Sequence, residues 1–211
     1  MDNVIKESME RVFHNNSWHG AESKSGRGSD PINTKNIEYE LPLLLNSLGI
    51  KTILDIPCGD FAWMPRLLSN LPSDIKYHGA DIVQDIINDN QKYATDNVSF
   101  SCLDITEDQL PKADIAIIRD CFNHLPYESI YRGLNNLKNS DIEYVALTHF
   151  NWKRIPNKDI AIGKEVNWRR LNYTMEPFSF ANPMDLIVEG SSESGGNDKT
   201  LAIWKVSDIK L

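Results

Sequence analysis

Two rhythms of apolar residues divide the chain. Near the amino terminus Val4, Ile5, Met9, Val12 and Phe13 fall close to a 3.6-residue period, which predicts a helix over Asp2 to Phe13. His14 to Asn33 is polar, holds Gly20, Gly26 and Gly28, and keeps no period, so it reads as a loop. A second helix is predicted from Thr34 to Leu48, with Gly49 as its stop and Pro42 as a kink or a new start.

From Thr52 the pattern changes to short apolar runs separated by helical stretches. Strands are predicted at Thr52 to Ile56, Tyr77 to Asp81, Val98 to Leu103, Ile115 to Ile118 and Tyr144 to Thr148. Helices are predicted over Trp63 to Asn70, Gln84 to Tyr93 and Tyr127 to Leu137. Alternation of this kind argues for βαβ units and a parallel sheet. Phe150 to Asn182 then carries Trp152, Pro156, Trp168, Pro177 and Phe180 without a period, and so long a connection in one domain is usually functional. Two last strands, Leu186 to Glu189 and Leu201 to Val206, flank Gly190 to Asp198, which reads as a hairpin turn. Such a hairpin adds an antiparallel strand to the sheet.

Chemistry enters at Lys51-Thr-Ile-Leu-Asp-Ile-Pro-Cys-Gly-Asp60, where an apolar strand runs into an acidic, glycine-bearing turn. Some 25 residues on, the next strand ends in Asp81. A carboxylate there can accept both hydroxyls of a ribose, so the pair describes a nucleotide-type cofactor site.

Composition narrows the choice. With 211 residues the chain fits one domain: N-terminal helices and a lid loop over 1–49, and a core over 50–211. A net charge of -8 argues against nucleic acid as the main partner, since that binding needs Lys and Arg on phosphates. There is no apolar run near the length of a membrane span, and the amino-terminal stretch lacks the basic start and apolar run of a secretory signal, so a cytoplasmic protein is expected. Cys58, Cys102 and Cys121 are odd in number and lack CxxC spacing, which predicts reduced thiols and neither a disulfide framework nor zinc. Asp120, Asn123 and His149 could surround a cation, but no spacing demands one, and no metal is expected. A closed homodimer is the default for a small enzyme, with no feature that fixes an interface.

Taken together, Leu54-Asp-Ile-Pro-Cys-Gly59-Asp, Gly79-Ala-Asp81-Ile, Cys102-Leu-Asp104-Ile and Asp114-Ile-Ala-Ile-Ile-Arg-Asp120 with Phe122-Asn-His-Leu125 resemble the successive motifs of class I S-adenosylmethionine-dependent methyltransferases. The resemblance spans nearly the whole chain. Trp18 with Ser25-Gly-Arg-Gly-Ser29, Pro57 to Trp63, Arg119 to Leu125 and Trp168-Arg-Arg-Leu-Asn172 further resemble small bacterial methyltransferases met near surface-polysaccharide genes. It implies a Rossmann-like, doubly wound, mostly parallel seven-stranded sheet with an antiparallel closing strand and an N-terminal helical lid. It also implies S-adenosylmethionine as cofactor, with S-adenosylhomocysteine as product, and O-methylation of a small anionic, nucleotide-linked or sugar-containing acceptor in polysaccharide biosynthesis.

By the same resemblance Asp55, Pro57, Cys58, Gly59, Asp60, Asp81, Ile82, Asp104, Ile105 and Arg119 surround the cofactor. Asp55 or Asp60 would face its ammonium, and Asp104 its adenine or, alternatively, a turn that it caps. His124 just past strand four could take a hydroxyl proton, with His149 as a rival and Asp120 as an orienter, base or cap. Arg27 in its glycine loop, and Arg169 and Arg170 beside Trp168, could grip an anionic substrate or lie in solvent. Pro57 and Phe61 stand where the usual turn carries glycine, and Phe61 would crowd a pyrophosphate. That disfavours the rival reading, a NAD-dependent oxidoreductase; a cofactor-binding partner protein without catalysis is a third.

Overall fold

The apolar runs become β1 (Thr52–Asp55), β2 (Lys76–Asp81), β3 (Val98–Cys102), β4 (Ile115–Ile118), β5 (Tyr144–Phe150), β6 (Asp185–Val188) and β7 (Lys199–Lys205). The computed structural model describes residues 2–20, 23–152, 154–161, 167–189 and 198–211. The strands form one sheet in the order β3-β2-β1-β4-β5-β7-β6. β1 pairs in parallel with β2 and β4, β2 with β3, and β4 with β5; β7 runs antiparallel to both β5 and β6. Strand ends differ from the sequence reading by one or two residues. The turn predicted between β6 and β7 lies outside the described residues except at Asp198.

Helices α1 (Asp2–Asn15), α2 (Pro31–Ser47), α3 (Met64–Leu68), α4 (Gln84–Asn90) and α5 (Tyr127–Lys138) complete the α/β fold. β4 is buried along its whole length, as expected of a central parallel strand with both faces covered. Its Ala116 and Ile118 face α5, which presents Ile130, Leu134 and Leu137, while Ile115 and Ile117 face the layer built by Ile37, Leu41 and Leu45 of α2 with Met64 and Leu67 of α3.

Two details show how sequence fixes α2. Gly49, at φ 70°, ends it: Gly49 N–H donates to Asn46 O and Ile50 N–H to Leu45 O, the paired bonds of a left-handed helix stop. Pro42 does not restart it, because α2 continues through. Proline leaves the carbonyl four residues back without its helical donor. Asn70, just beyond α3, supplies one through its side-chain amide, which donates to Glu38 O at 3.2 Å.

Candidate functional site

The order of the sheet reverses between β1 and β4, and in open α/β sheets ligands bind beyond the carboxyl ends of the strands at such a point. A cavity of about 400 Å³ lies there. Asp55, Pro57, Cys58 and Gly59 from the end of β1, Asp81 and Ile82 from β2, Asp104 and Ile105 after β3, and Arg119 and Asp120 after β4 line it. Ile5, Met9 and Phe13 of α1 and the 25–29 loop cover it.

At its floor Asp81 is buried and accepts backbone N–H bonds from Gly59 at 3.1 Å and Val83 at 3.0 Å. Burial raises its carboxyl to about 6, with these amide bonds opposing the rise. Gly59 is left-handed at φ 54°, and a Cβ there would collide with the Ser25 side chain, so the turn demands glycine. Asp55, also buried, accepts the Tyr77 hydroxyl at 2.7 Å; burial raises it to about 7 against that hydrogen bond and Arg119. Burial likewise pushes the Cys58 thiol well up, leaving it a neutral packing group.

On the β4 and β7 side Arg119 is buried, with Glu189 Oε2 at 2.7 Å and Gly28 O at 2.7 Å from its guanidinium. Lys199 Nζ lies 2.6 Å from Asp120 Oδ2 and 3.1 Å from Glu189 Oε2. Burial works against the charge on Asp120, but Lys199 and Arg119 outweigh it and hold its carboxyl far below the usual range. The His124 ring lies 5.4 Å from Trp18, and burial lowers its pKa. Its Nδ1 is 2.9 Å from the Asn167 carbonyl. A carbonyl can only accept, so Nδ1 carries the proton and Nε2 is the basic nitrogen.

Several expected site residues sit elsewhere or act differently. His149 does not line the cavity: its Nδ1 accepts the Tyr173 N–H, its Nε2 meets Asn151 Oδ1, and it stacks on Tyr173. Arg169 is buried and donates to the carbonyls of Phe122, Asn123 and Leu125, fastening the turn that carries His124. Arg170 packs over Phe150 and Trp152 and reaches toward Asp198 at 3.5 Å, outside the cavity lining. Asp60 turns its carboxylate to the loop at Ser23 to Ser25 rather than into the cavity. The Phe61 ring packs on Tyr77, Tyr93 and Phe100, so the crowding expected of it does not arise from its side chain. Asp104 lines the cavity and also caps a turn, its Oδ1 accepting the N–H and hydroxyl of Thr106. Arg27, exposed, and Trp168, half exposed, line the cavity.

No family model and no curated protein sequence matches the chain. Solved structures do. Magnesium protoporphyrin IX methyltransferase (ChlM) from Synechocystis PCC 6803, crystallised with S-adenosylhomocysteine, superimposes with a TM-score of 0.61 at 14% identity, covering 97% of this chain and 98% of that one. The methyltransferase domain of bacterial CtHen1 gives 0.58 at 12% identity over 82% of this chain and 98% of that one. The chain has the methyltransferase fold. Human N-acetylserotonin methyltransferase, in complex with S-adenosylmethionine, shares it with a TM-score of 0.53 at 11% identity, over 84% of this chain and 51% of that one.

Within this methyltransferase fold, Lys199, Glu189 and Tyr77 escaped the sequence reading as site residues. Lys199 and Glu189 lie 70 or more positions from their partners Arg119 and Asp120, and no local pattern joins them. Tyr77 announced itself as a strand residue only. The lid over the cavity was expected; its residues Ile5, Met9 and Phe13 are the ones that supplied the period of α1. Among the described residues, no group of three or more His, Cys, Asp or Glu is placed to hold a metal ion, and no helix is long and apolar enough to cross a membrane.

Proposed function

We propose that the chain is an S-adenosylmethionine-dependent methyltransferase acting on an oxygen of a small anionic, nucleotide-linked or sugar-containing acceptor. The observation that carries this reading is Asp81: a buried carboxylate at the tip of β2, on the wall of a cavity at the switch point of a methyltransferase-like sheet. The residues present fit the cofactor. Asp81 suits the ribose hydroxyls, Asp55 the ammonium, and Ile82, Asp104 and Ile105 the adenine, while Gly59 keeps the backbone open to close approach. When bound, the cofactor supplies a methyl group already activated on a sulfonium.

What the chain adds is position and a proton acceptor. Trp18, Arg27, His124 and Trp168 line the end where an acceptor would lie, and Arg27 suits an anionic group. Neutral His124, with Nε2 unprotonated, takes the hydroxyl proton. Asp120 is a weaker candidate base, because Lys199 and Arg119 favour its charged form. Surface-polysaccharide assembly is the setting that the sequence resemblance supports.

Calorimetric titration with S-adenosylmethionine, S-adenosylhomocysteine and NAD tests the reading. The first two bind, and Asp81→Ala loses both; binding of NAD alone, or of none, overturns it. Once an acceptor is in hand, His124→Ala with normal turnover would remove the base assignment.

A further inference from the structure

The loop over the cavity is fastened at two points. At the first, the Asp60 carboxylate accepts from the Ser23 hydroxyl at 2.9 Å, the Lys24 N–H at 2.8 Å and the Ser25 hydroxyl at 3.2 Å, while Asp60 N–H donates to Ser25 Oγ at 2.9 Å. At the second, Arg119 donates to Gly28 O, and a Cβ on Gly28 would press on the Asp120 carboxylate. Between the two, Ser25 to Ser29 lines the cavity while Asp60 does not. One face of the loop therefore meets whatever the cavity holds, and its near end is tied by a side chain that faces away from it.

We propose that Asp60 is a positioning residue, a latch that holds the 23–29 loop closed and so sets how fast a cavity ligand exchanges, without touching that ligand. The latch stands on the hydrogen bonds alone; its effect on S-adenosylhomocysteine rests on the methyl-donor reading. Three donors converge on one carboxylate, and hydrogen bonds to charged groups are the stronger kind. A ligand that contacts both loop and floor favours the closed state by its extra contacts there, and closure slows its release in return.

The test is limited trypsin digestion of the full chain, with cleavage after the exposed Lys24 and Arg27 read by mass spectrometry. Asp60→Ala is expected to speed cleavage at both sites roughly tenfold or more. Ser25→Ala keeps Asp60 but removes its reciprocal partner; it reproduces part of the effect and carries the test where Asp60→Ala does not fold. S-adenosylhomocysteine should slow cleavage of the unaltered protein. Its dissociation, followed in stopped flow through Trp18 and Trp63, should be faster from Asp60→Ala. Unchanged cleavage in both variants at an unchanged melting temperature overturns the latch. So does loss of S-adenosylhomocysteine binding in Asp60→Ala without faster cleavage, since that would put the carboxylate on the ligand. If the unaltered protein binds no S-adenosylhomocysteine while both variants still open the loop, the latch holds and the methyl-donor reading falls.

Discussion

Two buried carboxyls at the cavity floor, Asp55 raised to about 7 and Asp81 to about 6, should make binding of the methyl donor a proton-releasing event. In the free protein at pH 6, Asp55 is about 90% protonated and Asp81 about half. A ligand that sets its ammonium on Asp55 and its ribose hydroxyls on Asp81 favours both charged forms. Complete ionisation then releases about 1.4 protons at pH 6 and about 0.6 at pH 7. The same arithmetic makes binding about tenfold tighter at pH 7 than at pH 6, or about 1.4 kcal/mol. Titrating S-adenosylhomocysteine in buffers of different ionisation enthalpy measures the released protons directly. Asp55→Asn should lower the release at pH 6 to about 0.5, the share left to Asp81. Affinity that does not change between pH 6 and 7, or proton uptake, would refute the reasoning and take Asp55 off the ammonium.

Stability should show the same group with the opposite sign. Because the folded pKa of Asp55 lies above its unfolded value of 3.8, its contribution is complete below 3.8 and lost as pH rises through about 7. In thermal melts of the free protein, Asp55→Asn should therefore gain on the unaltered chain from pH 5 to pH 8, by about 2.6 kcal/mol. Gly59→Ala puts a Cβ against Ser25 at a left-handed residue, which costs about 1–2 kcal/mol in backbone strain alone; S-adenosylhomocysteine titration should show weaker binding. Arg169→Met leaves the carbonyls of Phe122, Asn123 and Leu125 without its guanidinium, and should cost about 3 kcal/mol, read as a melting temperature lower by roughly 10 °C.

Local signals were the legible ones. Apolar runs marked the strands, most of them closed by Asp or Gly, and an acid at the end of the second strand pointed to the floor of the cavity, because these depend on neighbours along the chain. Side-chain direction was not legible. His124 lies in the turn after β4 and His149 near the end of β5, both at the carboxyl side of the sheet; tertiary packing sends one to the cavity and stacks the other on Tyr173. Arg169 and Arg170 are adjacent, yet one is spent on three carbonyls and the other lies across aromatic rings. Asp60 stands in a cofactor motif but serves a loop some 35 residues before it. Pro42 looked like a kink or a new start because the amide that replaces its missing donor arrives from Asn70, in the turn after α3.

The reversed direction of β7 decides which of its residues matter to chemistry. Parallel strands deliver their last residues to the cavity, so their beginnings are remote from it. In β7 the rule inverts: Lys199, its first residue, stands at the cavity beside Asp120, while Trp204 and Lys205 lie at the far edge, paired with Val145 and Tyr144 at the beginning of β5. A carboxyl-terminal strand can thus complete a site assembled by much earlier segments. Changes at the start of β7 should therefore retune that site, whereas changes at its end should be felt in stability.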